Sequence, residues 1–358
     1  MKVFHIDSEK TFRGGQRQVL YLLEGLNGRG VENFLFCPRK SPLFERAGTV
    51  NKIAAPMLGE FDIFSAFKIS RRINREKPDI IHCHSAHALA LGLLAKKLSS
   101  FKPALVAARR VIFPLRCRKK YIMADRIIAI SAAVKKSLEA SGIAPVKIDI
   151  VYSGIRPSAA SRDMETISRK LLGLKDGVFT IAVVGALTKE KGHSIIIDAV
   201  SEVLARGFKL ELLIAGTGPE EKKLRRYATG KGIAENVLFA GFQKNILELF
   251  PAFNIVISAS DSEGLGTSIL DAMAAGCAVI ASDVGGVPEI IEDSVNGFLF
   301  KAGDASALAE KIIALASDAG MRRAMAEAGR SRAAEFSSEK TADATFAVYE
   351  KILNERKK

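Results

Sequence analysis

Thr180-Ile-Ala-Val-Val-Gly-Ala-Leu-Thr-Lys-Glu-Lys-Gly-His193 reads as a β-branched strand, a short loop and the opening of a helix. The strand, Thr180–Val184, delivers Gly185, and Lys191-Gly192 lead into a helical pattern over His193–Arg206. A continuously apolar strand feeding a helix is the building unit of a parallel sheet covered on both faces. The same unit recurs in both directions. Upstream, strands are predicted at Lys2–Ile6, Asn33–Cys37, Ile80–His84, Ala104–Ala107, Arg126–Ile130 and Ile148–Tyr152. Downstream, they fall at Leu210–Ala215, Val237–Ala240, Ile255–Ser258, Ala278–Ala281 and Gly297–Leu299. Two such series in tandem predict an α/β chain of two doubly wound domains, 1–160 and 161–338, facing across a crevice where ligands bind. The joint falls in the small, turn-forming run Ser153–Arg162. A last helix, about 339–358, carries Phe346, Val348, Tyr349 and Ile352 and needs an apolar partner.

The 358 residues suffice for two cores, and 48% hydrophobic content excludes a disordered chain. Four scattered cysteines without a Cys-x-x-Cys pair point to reduced thiols in a cytosol rather than to disulfides or structural zinc. The first residues carry charges and no long apolar stretch, so a signal peptide is not expected, and no apolar run reaches membrane-spanning length. The net charge of +14 is uneven: residues 1–170 hold 31 basic and 14 acidic side chains, the remainder 22 and 25. The basic half is expected to meet an anionic partner. Its clusters are Arg71, Arg72 and Arg75, then Arg109, Arg110, Arg116, Arg118, Lys119 and Lys120, the second mixed with Val111, Ile112 and Phe113 as a lipid interface would be. Nucleic acid is disfavoured: there is no Trp, and no nucleic-acid-binding signature.

The chemistry-bearing residues lie at predicted strand ends. The first strand leads to Gly14-Gly15 at a helix start, where backbone amides suit an anion, although neither a Gly-x-Gly-x-x-Gly nor a P-loop pattern is present. Lys191 projects after the strand that ends at Gly185, where an ammonium suits a diphosphate. In Ser258-Ala-Ser-Asp-Ser-Glu-Gly-Leu-Gly-Thr-Ser-Ile-Leu-Asp271, a loop presents Glu263, Gly264, Leu265 and Gly266 before a helix that begins at Thr267–Ser268 and carries Asp271. Two carboxylates flanking helix-terminal amides make a receptor for hydroxyls and phosphate. A helix-capping Glu263 with a solvated Asp271 fits the same spacing. His82 and His84 share a strand face; no further ligands oblige a metal site, His84 sits at the strand's end as an acceptor-side group, and His5 and His193 read as structural.

In order, these segments resemble family 4 (group 1) retaining glycosyltransferases of the GT-B fold, over nearly the whole chain. The resemblance rests on Gly14-Gly15, Asp79–His84, Val151–Ile155, Lys191-Gly192, Ala215–Pro219, Glu263–Gly266 with Asp271 eight positions after Glu263, and Ser282–Ile290. It implies transfer of a sugar from a nucleotide diphosphate sugar, with retention and without a metal or other cofactor. It further implies that Lys191 holds the diphosphate, Glu263 and the amides of Leu265–Ser268 the donor sugar and phosphate, and Asp271 the ribose. Gly15 would line the diphosphate, Gly241 and Phe242 would lie near the base, and the C-terminal helix would pack back on the first domain. Three departures stand out. Asp271 is a methylene shorter than the usual Glu, Ala186 replaces a usual Arg, and Arg110 stands where a His is common. An Arg is no base at neutral pH, so Arg110 is expected to serve phosphate or acceptor and to replace the cation missing at Ala186. Lys191 and Glu263 are expected to grip opposite ends of the donor across the interlobe gap. The expected acceptor is an anionic or lipid-linked glycan such as lipopolysaccharide core at the cytoplasmic membrane face. A sugar-nucleotide epimerase, a phosphorylase and a non-enzymatic anionic-glycan or lipid binder are the rival readings.

Overall fold

Strand propensity and helix patterning alternate along this chain, and the computed structural model, which describes residues 1–48, 50–156 and 163–357, resolves them into two units. One comprises Met1–Gly154 with Ser338–Lys358, the other Ile155–Ser337. The predicted boundary at 160/161, and Lys358 at the end of the predicted last helix, lie outside the described residues.

The first unit runs β1 (Lys2–Ile6), α1 (Gly14–Asn27), β2 (Glu32–Cys37), α2 (Pro42–Arg46), β3 (Asn51–Ala54), α3 (Ile63–Glu76), β4 (Ile80–Cys83) and α4 (Ala86–Leu98). It continues with β5 (Ala104–Arg109), α5 (Arg118–Ile122), β6 (Arg126–Ala129), α6 (Ala132–Ala140) and β7 (Ile148–Ile150). Among the described residues its seven strands are all parallel, in the order β3-β2-β1-β4-β5-β6-β7. The edge strand β3 was not predicted: Asn51-Lys-Ile-Ala holds one large apolar residue, and among the described residues the strand pairs with β2 alone. α3 starts where the Asp62 side chain accepts from Ser65 N, and it buries Ala66, Ile69 and Ile73.

The second unit holds α7 (Asp163–Leu172), β8 (Phe179–Val184), α8 (His193–Ala205), β9 (Leu210–Ala215), α9 (Glu221–Gly230), β10 (Val237–Gly241) and α10 (Ile246–Leu249). After these come β11 (Ile255–Ser258), α11 (Thr267–Ala274), β12 (Ala278–Ser282), β13 (Phe298–Phe300), α12 (Ala305–Ser317) and α13 (Ala319–Ala333). Among the described residues its six parallel strands order as β10-β9-β8-β11-β12-β13. Both sheets therefore reverse direction beside their first strand, between β1 and β4 and between β8 and β11. In open α/β sheets ligands bind outside the carboxyl ends of the strands at that reversal.

The final helix, α14 (Ser338–Lys357), belongs to the first unit. Its Ala342, Val348, Tyr349 and Ile352 share a buried cluster with Val3, Leu22, Leu26 and Ile80. Among the described residues no helix is long and apolar enough to cross a membrane.

Candidate active site

The reversal in the second sheet brings the loops after β8 and β11 side by side. Lys191 ends a short 3-10 turn after β8, and Glu263 sits in the loop after β11. Their tips meet: Lys191 Nζ lies 2.5 Å from Glu263 Oε1, and Ser260 Oγ donates to the same oxygen at 2.8 Å. The side chains are 30% and 15% exposed, so the pair is open to a ligand yet partly shielded. Gly192 makes the approach possible. Its φ is 64°, and a Cβ there would lie 1.9 Å from the Ala259 carbonyl oxygen, so only glycine lets the loop after β8 close on the end of β11. Asp261 N, donating to Glu190 O at 2.9 Å, joins the loops again. This corrects one expectation. Lys191 and Glu263 do not face each other across a gap between lobes; both belong to the second unit and form an ion pair.

The other predicted donor-side residues gather at the same strand ends. Gly266, at φ 95°, turns the chain into α11, with Leu265 buried before it, Gly264 and Thr267–Ser268 half-buried, and Asp271 buried one turn in. The first turn of such a helix leaves backbone amides without intrahelical partners. Gly185 follows β8 and donates to Ala215 O at 3.0 Å, while Gly241 closes β10 and accepts from Gly216 N at 2.8 Å. Phe242, next to it, is 62% exposed. Ala186 lies in this unit and Arg110 in the other.

In the first unit, Gly14 and Gly15 open α1 after β1. A Cβ at Gly15 would meet Arg110 Cδ at 3.7 Å, an ordinary contact, so Arg110 lies directly under this turn. Asp7, fully buried at the end of β1, accepts from Glu9 N at 3.0 Å and Gln16 Nε2 at 3.3 Å. Burial pushes its carboxyl above the usual range, while the Arg110 charge pulls the other way.

His84 departs from its expected place on the acceptor side. It is buried, its Nε2 lies 3.0 Å from His5 Nδ1, and its Nδ1 and carbonyl face the Arg110 guanidinium. Both ring nitrogens are thus engaged within the fold. His5, read from sequence as structural, proves to be part of this arrangement, because parallel pairing sets it level with His82 on β4. No local signal could have shown that register, which joins positions 5 and 82. Burial pushes His5 down to about 4, and His82 and His84 well below the ordinary imidazole value. The ligand atoms of His5, His82 and His84 lie within 4.8 Å of one another, close enough to share a cation. Two of them already bond each other, and the adjacent guanidinium opposes a second positive charge.

Comparison with known proteins agrees with this architecture. The family described as glycosyl transferases group 1 matches residues 164–332, and glycosyltransferase family 4 matches residues 12–159. Over 322 residues the chain is 26% identical to N-acetyl-alpha-D-glucosaminyl L-malate synthase of Bacillus anthracis, covering 86% of this chain and 84% of that one. It is 22% identical over 342 residues to the UDP-Gal:alpha-D-GlcNAc-diphosphoundecaprenol alpha-1,3-galactosyltransferase of Escherichia coli, covering 89% and 88%. The crystal structure of Anabaena HepE in complex with UDP-glucose superposes with a TM-score of 0.86 at 21% identity, covering 97% of this chain and 99% of that one. With the two halves of the chain matched in turn and two doubly wound units of GT-B type between its ends, the protein belongs to the group 1, family 4 glycosyltransferases.

Proposed function

We propose that the protein transfers a sugar, with retention of anomeric configuration, from a nucleotide diphosphate sugar to an anionic or lipid-linked glycan at the cytoplasmic face of a membrane. The observation that carries the donor half is the Lys191–Glu263 pair at the strand reversal of the second unit. An ammonium beside a carboxylate matches a substrate with a diphosphate at one end and hydroxyls at the other. Lys191 neutralises charge on the departing diphosphate, helped by the first amides of α11. Glu263 exchanges Lys191 and Ser260 for sugar hydroxyls, Asp271 accepts from ribose, and Phe242 offers a face to the base. The leaving diphosphate itself takes the acceptor's proton, so the reading needs neither a protein base nor a metal. UDP is the first nucleotide to try, since Anabaena HepE is described with UDP-glucose.

The acceptor half rests on charge and exposed apolar surface. The first unit carries 32 basic and 16 acidic side chains, the second 21 and 23. On and before α3, Leu58, Phe61 and Phe64 are 79%, 91% and 85% exposed, with Lys68, Arg71 and Arg75 on the same helix. Lys120 Nζ binds Glu60 Oε1 at 2.7 Å, tying the basic α5 to this ridge. Aromatic tips ringed by cations suit an anionic lipid surface.

The test is a thermal-shift panel of nucleotides and nucleotide sugars. One nucleotide sugar should raise the melting temperature, and Lys191→Ala should abolish the rise; indifference to every member at millimolar concentration would overturn the reading.

A further inference from the structure

Asn33 anchors one end of a buried row of side chains. Its Nδ2 donates to Asn27 Oδ1 at 2.7 Å and to Val31 O at 3.1 Å, so its Oδ1 is the atom that faces His5 Nε2 at 3.0 Å. A carbonyl oxygen only accepts, so His5 carries its proton on Nε2. A neutral imidazole has one N–H, which leaves His5 Nδ1 bare, and His84 Nε2 donates to it at 3.0 Å. His84 then has a bare Nδ1. At the far end Arg110, which only donates, reaches that Nδ1 from Nη2 at 3.4 Å and the His84 carbonyl from Nη1 at 2.8 Å. Both ends demand the same order of protons, and the His5 and His84 rings lie nearly parallel, 11° apart.

We propose that Asn33, His5 and His84 form a relay of fixed tautomers that orients the Arg110 guanidinium under the Gly14–Gly15 turn, with His84 as its positioning residue. That Arg110 meets phosphate or acceptor is the expectation drawn from the sequence and rests on the proposed sugar transfer; the relay does not. The groups facing the row are His82, whose ring centre is 4.1 Å from that of His84, Tyr349, whose hydroxyl lies 2.6 Å from His82 Nδ1, and Asp7 near Arg110. A second proton on either His5 or His84 would place two N–H groups tip to tip beside a permanent cation. The row therefore holds one positive charge, on Arg110, from mildly acidic to basic pH.

Nitrogen-15 NMR of the full chain tests this. His5 and His84 should both show a protonated Nε2 and a bare Nδ1 from pH 8 down to 5.5; a protonated Nδ1 on either ring, or titration of either between pH 6 and 7, would overturn the relay. His84→Asn keeps an acceptor oxygen where Nδ1 stands, and His84→Leu does not. The Arg110 Nε resonance should persist in the first and shift or broaden in the second, whereas equal behaviour in both refutes positioning. One equivalent of zinc should leave the ring nitrogens unmoved; a joint shift of His5, His82 and His84 would instead identify a cation site. If His84→Leu fails to fold, the wild-type tautomers still decide the relay, and loss of the Arg110 Nε resonance in His84→Asn still refutes positioning. No readout uses a nucleotide sugar, so failure here leaves the donor reading standing, and the reverse.

Discussion

Lys191 carries its charge into direct contact with the carboxylate beside which it is proposed to work. Being 30% exposed, it contributes little to the core, so Lys191→Ala should keep its fold and melting behaviour while transfer falls roughly 10²–10³-fold, as loss of a charge-stabilising group does. Turnover near wild type, measured with the sugar nucleotide that the panel selects, would remove the role. His193, two positions on, is buried with neither ring nitrogen hydrogen-bonded among the described residues, and burial holds it, like His5, down to about 4. Unfolded, both would titrate near 6.5. Between those values the unfolded chain binds more protons than the folded one, so stability falls as pH drops from about 6.5 to about 4. The slope should approach about 1.4 kcal/mol per pH unit for each histidine. His193→Phe should flatten this acid limb in urea melts taken across the window; an unchanged slope would refute the assignment.

At the scale of elements, α14 is where a distant segment completes a core. It crosses α1 so closely that a Cβ on Gly25 would lie 2.5 Å from Ala342 Cβ. Gly25→Ala should therefore destabilise the protein by about 1–3 kcal/mol by overpacking, although Ala is the better helix former. Ala342→Gly in the same chain should restore most of the loss in denaturant midpoint; additive destabilisation would contradict the crossing. The apolar stripe in the sequence showed that this helix needed a partner, and the resemblance pointed to the first domain. The residues that receive it, Val3, Leu22 and Ile80, lie more than 250 positions away. β3 escaped sequence reading for the opposite reason: an edge strand paired on one side needs little apolar content.

For the molecule as a whole, the division of charge is the leading feature. The basic unit also bears the aromatic ridge on α3, and its proposed partner is an anionic membrane. Vesicles containing phosphatidylglycerol should cosediment the protein at low salt and release it at about 0.5 M salt, where screening shortens to a few ångströms. Phe61→Ser with Phe64→Ser should weaken binding even at low salt, because the rings contribute burial in the lipid boundary. Binding indifferent to lipid charge, salt and those two rings would refute the membrane reading.

Sequence alone determined the alternation of strand and helix, the two tandem sheets, the loops that carry Lys191, Glu263 and Gly266, and the helix that carries Asp271. These depend on local propensity, short turns and the spacing of charged residues along one strand–loop–helix unit. Tertiary structure decided which loops touch. The reversal of strand order joined Lys191 to Glu263 across 72 residues, and parallel register placed His5 beside His84 across 79, turning a predicted acceptor-side histidine into a support for Arg110. Such contacts depend on strand order and register, quantities that arise only when separate segments share one sheet, so no local pattern encodes them.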